Sequence, residues 1–236
     1  MFKKIIILSA VLLIAGGTII ESRILDDEKL MQAEKIAATT QTANAVAQDT
    51  IKVQCIISDY DDMMRRISAE EGQDWLLMSA IAYNESRFKS HLVSKQGAIG
   101  LMQVMPIVGK QFNVDREQIA DPETNIRLAS KLLTQIDRIL KISPSASAHD
   151  RLSIILASYN GGVGHVADAR RLAKSNGEDY NSWEVVARYL KQKANPEIYK
   201  SDLVRHGRFT GSRQTEAYVR NVMARYDVYR QLTNQI

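Results

Sequence analysis

The stretch from Trp75 to Tyr83 constrains the fold more than any other part of this sequence. It is apolar at every position except Ser79, and the polar pair Glu85-Ser86 closes it. A helix that is apolar on all sides cannot lie on a protein surface, because each of its faces has to be covered by other elements. We therefore predict a central helix that ends close to a carboxylate, Glu85.

The remainder of the chain from residue 51 onward also shows helical spacing, and no segment alternates in the manner of a strand. Asp121-Pro122 is typical of a helix start, since Asp caps the first turn and Pro suits its first position. Further helices are predicted up to Gly72 and over 152–159, 163–173, 182–193 and 216–232, with loops over 143–149 and 194–213. The prediction is an all-α domain over 51–236 with no internal repeat.

The N-terminus has a different character. Lys3-Lys4 precedes an uncharged, mostly apolar segment, Ile5 to Ile20, of about 16 residues. A membrane span usually needs about 20 apolar residues, so residues 1–21 are either a cleaved signal peptide or an uncleaved signal anchor. Both alternatives place the rest of the chain outside the cytoplasm, with residues 22–50 as a linker or stalk.

Composition excludes few functions. The net charge of +4 would suit an anionic polymer such as a cell wall, although an ordinary solvated surface explains it equally well. No run of Lys and Arg indicates nucleic-acid binding. Cys55 is the single cysteine, so an intrachain disulfide is impossible, and a buried free thiol is expected.

Glu85 is the candidate acid. The C-terminal end of an apolar helix combines a negative dipole with dry surroundings, and both raise the pKa of a carboxyl group. A raised pKa keeps a proton available for general acid catalysis near neutral pH. A surface Glu at a helix end is the alternative. No other Asp or Glu occurs between Glu85 and Asp115, although Asp121 or Asp168 could fold into the same site.

Two further segments suit a sugar-binding site. Gly97 and Gly100 allow a backbone loop to approach a ligand closely, and Gln103 supplies an amide that both donates and accepts hydrogen bonds. Later, Tyr159-Asn160 offers a phenol and an amide just before two glycines. Taken singly, each segment could be no more than a turn.

Four segments in order resemble the motifs of the lytic transglycosylase catalytic domain, the soluble-lytic-transglycosylase or goose-lysozyme-like family. They are Glu85-Ser86, Gly100-Leu101-Met102-Gln103, Ala157-x-Tyr159-Asn160 and Tyr218-Val219. Within that family the chain resembles the membrane-bound type F, which carries an additional solute-binding-like domain before the catalytic one. The resemblance covers residues 55–232 and implies a lysozyme-like, all-α fold.

The resemblance also implies roles. Glu85 would be the single catalytic acid and base, with Tyr159 as its hydrogen-bond partner. The positions that match substrate-binding residues are Ser94, Gln103, Met105, Tyr159, Asn160 and Tyr218. Ser94 could instead be a loop cap, and Tyr218 a core residue. No metal or cofactor is implied.

The implied activity is non-hydrolytic cleavage of peptidoglycan between N-acetylmuramic acid and N-acetylglucosamine, leaving 1,6-anhydro ends. The partners would be glycan strands, the membrane for the N-terminal segment, and cell-wall assembly complexes, at the periplasmic face of the envelope. Two alternatives stay open: a lysozyme-like hydrolase that uses water, and a wall-binding scaffold without turnover.

Overall fold

The computed structural model describes residues 56–234, and within this range the fold is all-helical, apart from isolated bridges of Ile99 with Val93 and Val104. The all-α prediction is confirmed for this range. The segments predicted over 1–50, and Cys55, lie outside the described residues. The helices are α1 Asp61–Glu71, α2 Trp75–Ser86, α3 Pro106–Gln111, α4 Arg116–Ile119, α5 Pro122–Leu140, α6 Ala148–Gly161, α7 Val163–Ser175, α8 Trp183–Gln192, α9 Pro196–Tyr199 and α10 Ser212–Asn234.

Helix α2 lies at the centre, as its composition predicted. Every residue from Leu76 to Ala82 is buried, and the helix packs against α1 on one side and α10 on another. Burying one large apolar side chain stabilises a fold by about 1.5–3 kcal/mol, so this segment anchors the domain. Its C-terminal turn, which carries Glu85, is consequently held against α10.

Local chemistry sets the helix ends where the sequence predicted them. Helix α1 stops at Gly72, whose φ of 69° is the left-handed conformation that glycine adopts without strain. The carboxylate of Asp121 accepts a hydrogen bond from the amide of Thr124 at 2.9 Å and caps α5, with Pro122 in the first turn. Both ends depend only on neighbouring residues.

Two predicted loops are shorter than expected. Helix α6 begins at Ala148 because the Ser147 hydroxyl accepts from the amide of Asp150 at 3.0 Å and caps it. The segment over 194–213 contains α9, which Asn195 caps by accepting from the amide of Glu197 at 3.1 Å. Helix α10 also starts earlier than predicted, at Ser212 instead of residue 216. The prediction missed this first turn because it is polar and lacks the apolar spacing that marks a helix in the sequence.

The second half of the domain positions α10. Helix α7 packs against α6 and α8, and α10 crosses α2, α6 and α8. Side chains on the N-terminal half of α10 can therefore meet both the end of α2 and the end of α6. In the part of the chain that the structure describes, none of the helices is long and apolar enough to span a membrane.

Candidate active site

Glu85 lies in the last turn of α2 and is partly buried. Burial raises the pKa of its carboxyl group from 4.5 to about 7, and the nearby Tyr218 hydroxyl lowers it by a smaller amount. Loss of water disfavours the charged form of a carboxyl group, so removal from solvent is the main cause. The raised pKa that the sequence predicted is confirmed.

Two tyrosines from different helices flank this carboxyl group. Tyr159 comes from α6 and Tyr218 from α10, and burial together with the charge of Glu85 raises the pKa of both phenols well above 10. The predicted hydrogen bond from Tyr159 to Glu85 was wrong. The Tyr159 hydroxyl donates instead to the carbonyl of Met102 at 2.7 Å, because the glycine loop brings that carbonyl within its reach.

Of the two phenols, Tyr218 is the one whose hydroxyl changes the pKa of Glu85. Its hydroxyl approaches the carboxyl group closely enough to lower the pKa of Glu85, yet it is buried and forms no hydrogen bond of good geometry within residues 56–234. A buried hydroxyl without a partner costs about 1–3 kcal/mol. Such a group is suited to bonding with the ionised carboxylate or with a bound sugar.

The glycine loop, residues 92–104, is fixed by a residue that the sequence analysis missed. Asn125 on α5 is buried; its amide donates to the carbonyls of Ile99 and Ile119 at 2.9 and 2.8 Å, and its oxygen accepts from the amide of Met102 at 2.7 Å. Gly100 has a φ of 82°, and a Cβ there would lie 2.5 Å from the Asn125 amide. The sequence did contain an indication of this role: Asn125 lies three residues before Leu128, so both fall on the buried face of α5.

Ser86 connects the same loop to the end of α2. Its buried hydroxyl lies 2.8 Å from the carbonyl of Leu101 and 3.2 Å from that of Ala82, and can donate to either. The residue directly after Glu85 is thus attached to the loop that carries Gln103. We infer that the serine of the Glu-Ser pair positions the acid relative to the loop.

The remaining predicted binding residues lie in the glycine loop or close to it, and their hydrogen bonds are local. The amide nitrogen of Gln103 is engaged with the carbonyls of Gly100 and Leu92, at 2.9 and 3.2 Å, so its oxygen is the atom left for a ligand. Ser94 accepts from the amide of Ala98 at 3.0 Å, as the loop-cap alternative requires, and its proton remains available. Met105, 38% exposed, precedes α3.

Asn160 is exposed at the end of α6, and its side-chain oxygen accepts from the hydroxyl of Thr215 at 3.0 Å. This bond connects α6 to the first turn of α10. The contact therefore fixes the relative position of the helices that carry Tyr159 and Tyr218. A direct contact of Ser94, Gln103, Met105 or Asn160 with substrate stays a prediction.

The acids that are distant from Glu85 in the sequence are engaged elsewhere in the fold. Asp121 caps α5, and Glu123 binds Arg66 and Arg127 at 2.7 and 2.9 Å, which lowers its pKa to about 2. Within the described residues, no carboxylate contributes to the pKa shift of Glu85. Nor do these residues contain a cluster of three or more His, Cys, Asp or Glu that could hold a metal ion.

Asp168 has a structural task. It is fully buried on α7 and binds the equally buried Lys193 at 2.7 Å, and it accepts from the backbone amides of Arg205 and His206 at 3.1 and 2.8 Å. These bonds, with Lys193 first among them, keep the pKa of Asp168 below its usual range although burial opposes them. Asp168 therefore attaches the segment before α10 to α7.

Comparison with known proteins places this arrangement in a family. The chain is 31% identical over 174 residues to the membrane-bound lytic murein transglycosylase F of Marinobacter nauticus, covering 74% of this chain and 33% of that protein. The relative of the same name from Shewanella loihica is 34% identical over 162 residues, covering 69% and 33%. The chain thus spans about a third of the length of these curated relatives.

The fold agrees. The lytic transglycosylase Slt of Pseudomonas aeruginosa, solved as an inactive mutant, superposes with a TM-score of 0.50 at 20% identity, covering 85% of this chain and 30% of that one. The model of the transglycosylase SLT domain matches residues 62–182, just over half of the chain, and this span contains Glu85, the glycine loop and Tyr159. The chain therefore belongs to the transglycosylase SLT domain family.

Proposed function

We propose that the chain is a peptidoglycan lytic transglycosylase that cleaves the β-1,4 bond between N-acetylmuramic acid and N-acetylglucosamine. The observation that carries the proposal is a single half-buried acid, Glu85, whose pKa lies near 7 and which has two phenols and no second carboxylate beside it among residues 56–234. Membership of the SLT family supports the substrate class.

The chemistry needs only one acid. Glu85 in its protonated form gives its proton to the glycosidic oxygen, the bond from that oxygen to the anomeric carbon breaks, and the N-acetylglucosamine side leaves. The oxygen of the muramic N-acetyl group stabilises the cation-like carbon. The 6-hydroxyl of the same sugar then bonds to this carbon and returns its proton to Glu85, which closes the 1,6-anhydro ring and restores the acid.

The geometry suits both halves of this cycle. A pKa near 7 leaves Glu85 about half protonated at neutral pH. When the carboxylate forms, the Tyr218 hydroxyl is close enough to donate to it, and hydrogen bonding favours the charged form. The attacking hydroxyl belongs to the reacting sugar, so proximity favours ring closure over attack by water.

A water-using hydrolase of the inverting type would need a second carboxylate to activate water. In the described part of the chain, Asp121, Glu123 and Asp168 are occupied by a helix cap or by ion pairs. A wall-binding scaffold without turnover would have no use for an acid with a raised pKa. Neither alternative is favoured by a contact in the structure.

We further propose that residues 51–236 form the catalytic domain at the periplasmic face of the envelope, behind a signal peptide or anchor over 1–21 and a stalk over 22–50. The relatives' names, which describe them as membrane-bound, support an envelope location. Ser94, Gln103, Met105 and Asn160 would contact the sugars, and cell-wall assembly complexes would be further partners. Export is tested by a reporter fused after Ile236.

The decisive experiment is digestion of purified sacculi in oxygen-18 water, followed by mass spectrometry of the released fragments. The wild type should give anhydro ends without label, and Glu85→Gln should give none. Glu184→Gln on the surface of α8 is the matched control and should keep full activity. Labelled reducing ends would mean hydrolysis, and unchanged activity of Glu85→Gln would refute the assignment of the acid.

A further inference from the structure

We propose that a cavity behind α10, on the side of the helix opposite Tyr218, binds an N-acetylated sugar of a second glycan segment, an inference that rests on the proposed function. The cavity measures about 440 Å³, within the range of about 300–1,000 Å³ that small-ligand sites occupy. It lies between the first half of α6, the start of α8 and the middle of α10. Its polar and aromatic lining consists of His149, Ser153, Trp183, Glu216, Arg220 and Asp227.

Helix α10 separates this cavity from the acid. The α10 residues that line it share one helix face and are Glu216, Val219, Arg220, Met223, Ala224 and Asp227. Tyr218, whose hydroxyl lies close to Glu85, is on the other face, because Arg220 and Met223 are turned from it by about 200° and 140° around the axis. A helix with its side chains is about 10–12 Å across, so a sugar held at Glu85 does not enter the cavity.

The polar side chains around the cavity are not used by the fold. Glu216, Arg220 and Asp227 form no ion pair with any residue over 56–234, although Glu216 and Arg220 have the spacing at which opposite charges on a helix commonly pair. Ser153 is fully buried beside the cavity, and its hydroxyl has no hydrogen-bond partner in the same part of the chain. Buried polar groups in proteins are nearly always hydrogen-bonded, so a ligand hydroxyl in the cavity would supply the missing partner.

Trp183 gives the cavity an aromatic wall in a fixed position. It begins α8, and its backbone amide donates to the carboxylate of Asp150 at 2.8 Å. The hydroxyl of Ser147 donates to the same carboxylate at 2.6 Å, so α8 is attached to the first turn of α6. The Trp183 side chain is partly exposed. An indole presents a flat face that is electrostatically negative, and the C–H groups of a sugar ring pack favourably against such a face.

The groups around the cavity suit a neutral ligand better than a charged one. Glu216 and Asp227 accept hydrogen bonds, Arg220 donates them, and a neutral His149 can do both. An anion in the cavity would meet two carboxylates, and a cation would meet the guanidinium of Arg220. Hydroxyl groups and an acetamide both donate and accept, so an N-acetylated sugar can bond to carboxylates and guanidinium together while its ring packs on Trp183.

The functional consequence is attachment to the wall at two points. A strand in the active site and a second segment at Trp183 would occupy opposite sides of α10. When two binding events are linked, the second becomes intramolecular, and overall affinity can rise by a factor of about 100 or more without stronger contacts at either site. The cavity therefore affects binding to intact sacculi, which present many strands, more than binding to short soluble fragments.

Tryptophan fluorescence reports occupancy of the cavity without turnover. The sequence contains two tryptophans, Trp75 and Trp183, and only the second lines the cavity. In the full chain carrying Glu85→Gln, a neutral trisaccharide of N-acetylglucosamine should change the emission. Trp183→Phe, which keeps Trp75, should abolish this change. The deacetylated trisaccharide has the same rings but carries amines, and it should bind more weakly; tighter binding of this cationic probe would overturn the assignment to a neutral sugar.

Two carboxylate variants locate the binding site. Glu216→Gln and Asp227→Asn keep the size of each side chain but remove a charged acceptor, so each should raise the Kd of the trisaccharide about fivefold or more in the fluorescence titration. Glu184→Gln is the matched control, because this exposed carboxylate follows Trp183 directly but lies outside the cavity lining, and it should leave the Kd in place. The double variant of Glu216 and Asp227 should also bind sedimented sacculi at least about tenfold more weakly.

The outcomes separate this inference from the proposed function. If the trisaccharide leaves the emission of Trp183 as it was, or if the carboxylate variants bind as tightly as their parent, the second sugar site is refuted while the transglycosylase stands. If the wild type forms no anhydro product from sacculi, the proposed function fails, and the fluorescence titration still decides whether the cavity binds the sugar.

Discussion

The hydroxyl of Ser86 lies 2.8 Å from the carbonyl of Leu101, within hydrogen-bond distance, and so connects the residue next to the acid with the glycine loop. The Tyr159 hydroxyl of α6 donates a hydrogen bond to the next carbonyl of the loop, that of Met102, at 2.7 Å. The loop is therefore held by α2 and α6 together. Its position relative to Glu85 follows from these bonds and from the clamp that Asn125 provides.

The pH dependence of the reaction should report the pKa of Glu85. The first step needs the protonated acid, so kcat/KM should be constant at low pH, fall to half near pH 7, and then decrease about tenfold for each further pH unit. The measurement is the initial rate of anhydro product formation from pH 5 to 9. A rate that stays constant up to pH 9 would contradict the assignment of Glu85 as the acid.

Removing the carboxyl group should stabilise the protein at high pH. Because burial raises the pKa of Glu85 above its unfolded value, its contribution to stability is fully present below about pH 4.5 and is lost as pH rises through about 7. The rise from 4.5 to about 7 corresponds to at most about 3 kcal/mol. Denaturant unfolding of Glu85→Gln should therefore show higher stability than the wild type at pH 8.

The same comparison at pH 4 provides the internal control, since both proteins then carry a neutral group at this position and the difference should nearly vanish. Glu184→Gln on α8 should follow the wild-type curve at both pH values. Parallel pH curves for Glu85→Gln and wild type would show that the carboxyl group is not desolvated in solution.

Two glycines of the loop allow a matched test of its clamp. Gly100→Ala should destabilise the domain by about 3 kcal/mol, because left-handed strain adds to a collision with the buried Asn125 amide. Gly97→Ala has a similar φ of 86° but open space around the new methyl group, so only the strain of about 1 kcal/mol applies. Thermal unfolding of both variants measures the difference, and equal effects would mean that the Asn125 side chain moves aside at no cost in stability.

The features that the sequence predicted correctly are those determined within a few residues. Gly72 stops α1, Asp121 caps α5, and the uniform apolarity of α2 requires burial, whatever the rest of the chain does. The raised pKa of Glu85 belongs to this group, because it needs only a carboxyl group at the end of a buried helix.

The features that were missed depend on partners far away in the chain. Asn125 contacts the loop 23 residues before it, and Asp168 binds Lys193, 25 residues later. Tyr159 was assigned the wrong partner because a phenol in a motif says nothing about which of several nearby acceptors lies in line with its proton. Spacing identifies which residues share a helix face, but the acceptor is chosen only when the helices pack.

The two phenols beside the acid should have different roles, a structural one for Tyr159 and a chemical one for Tyr218. Tyr159→Phe removes the hydrogen bond to the buried Met102 carbonyl, so it should destabilise the domain by about 1–3 kcal/mol. Tyr218→Phe removes a buried hydroxyl that has no partner of good geometry in residues 56–234, so stability should change little. Because the Tyr218 hydroxyl lowers the pKa of Glu85, its loss should move the alkaline limb of kcat/KM to higher pH, whereas Tyr159→Phe should leave the limb in place. Unfolding curves and pH profiles of both variants test this, and a limb that moves with Tyr159→Phe but not with Tyr218→Phe would reverse the two assignments.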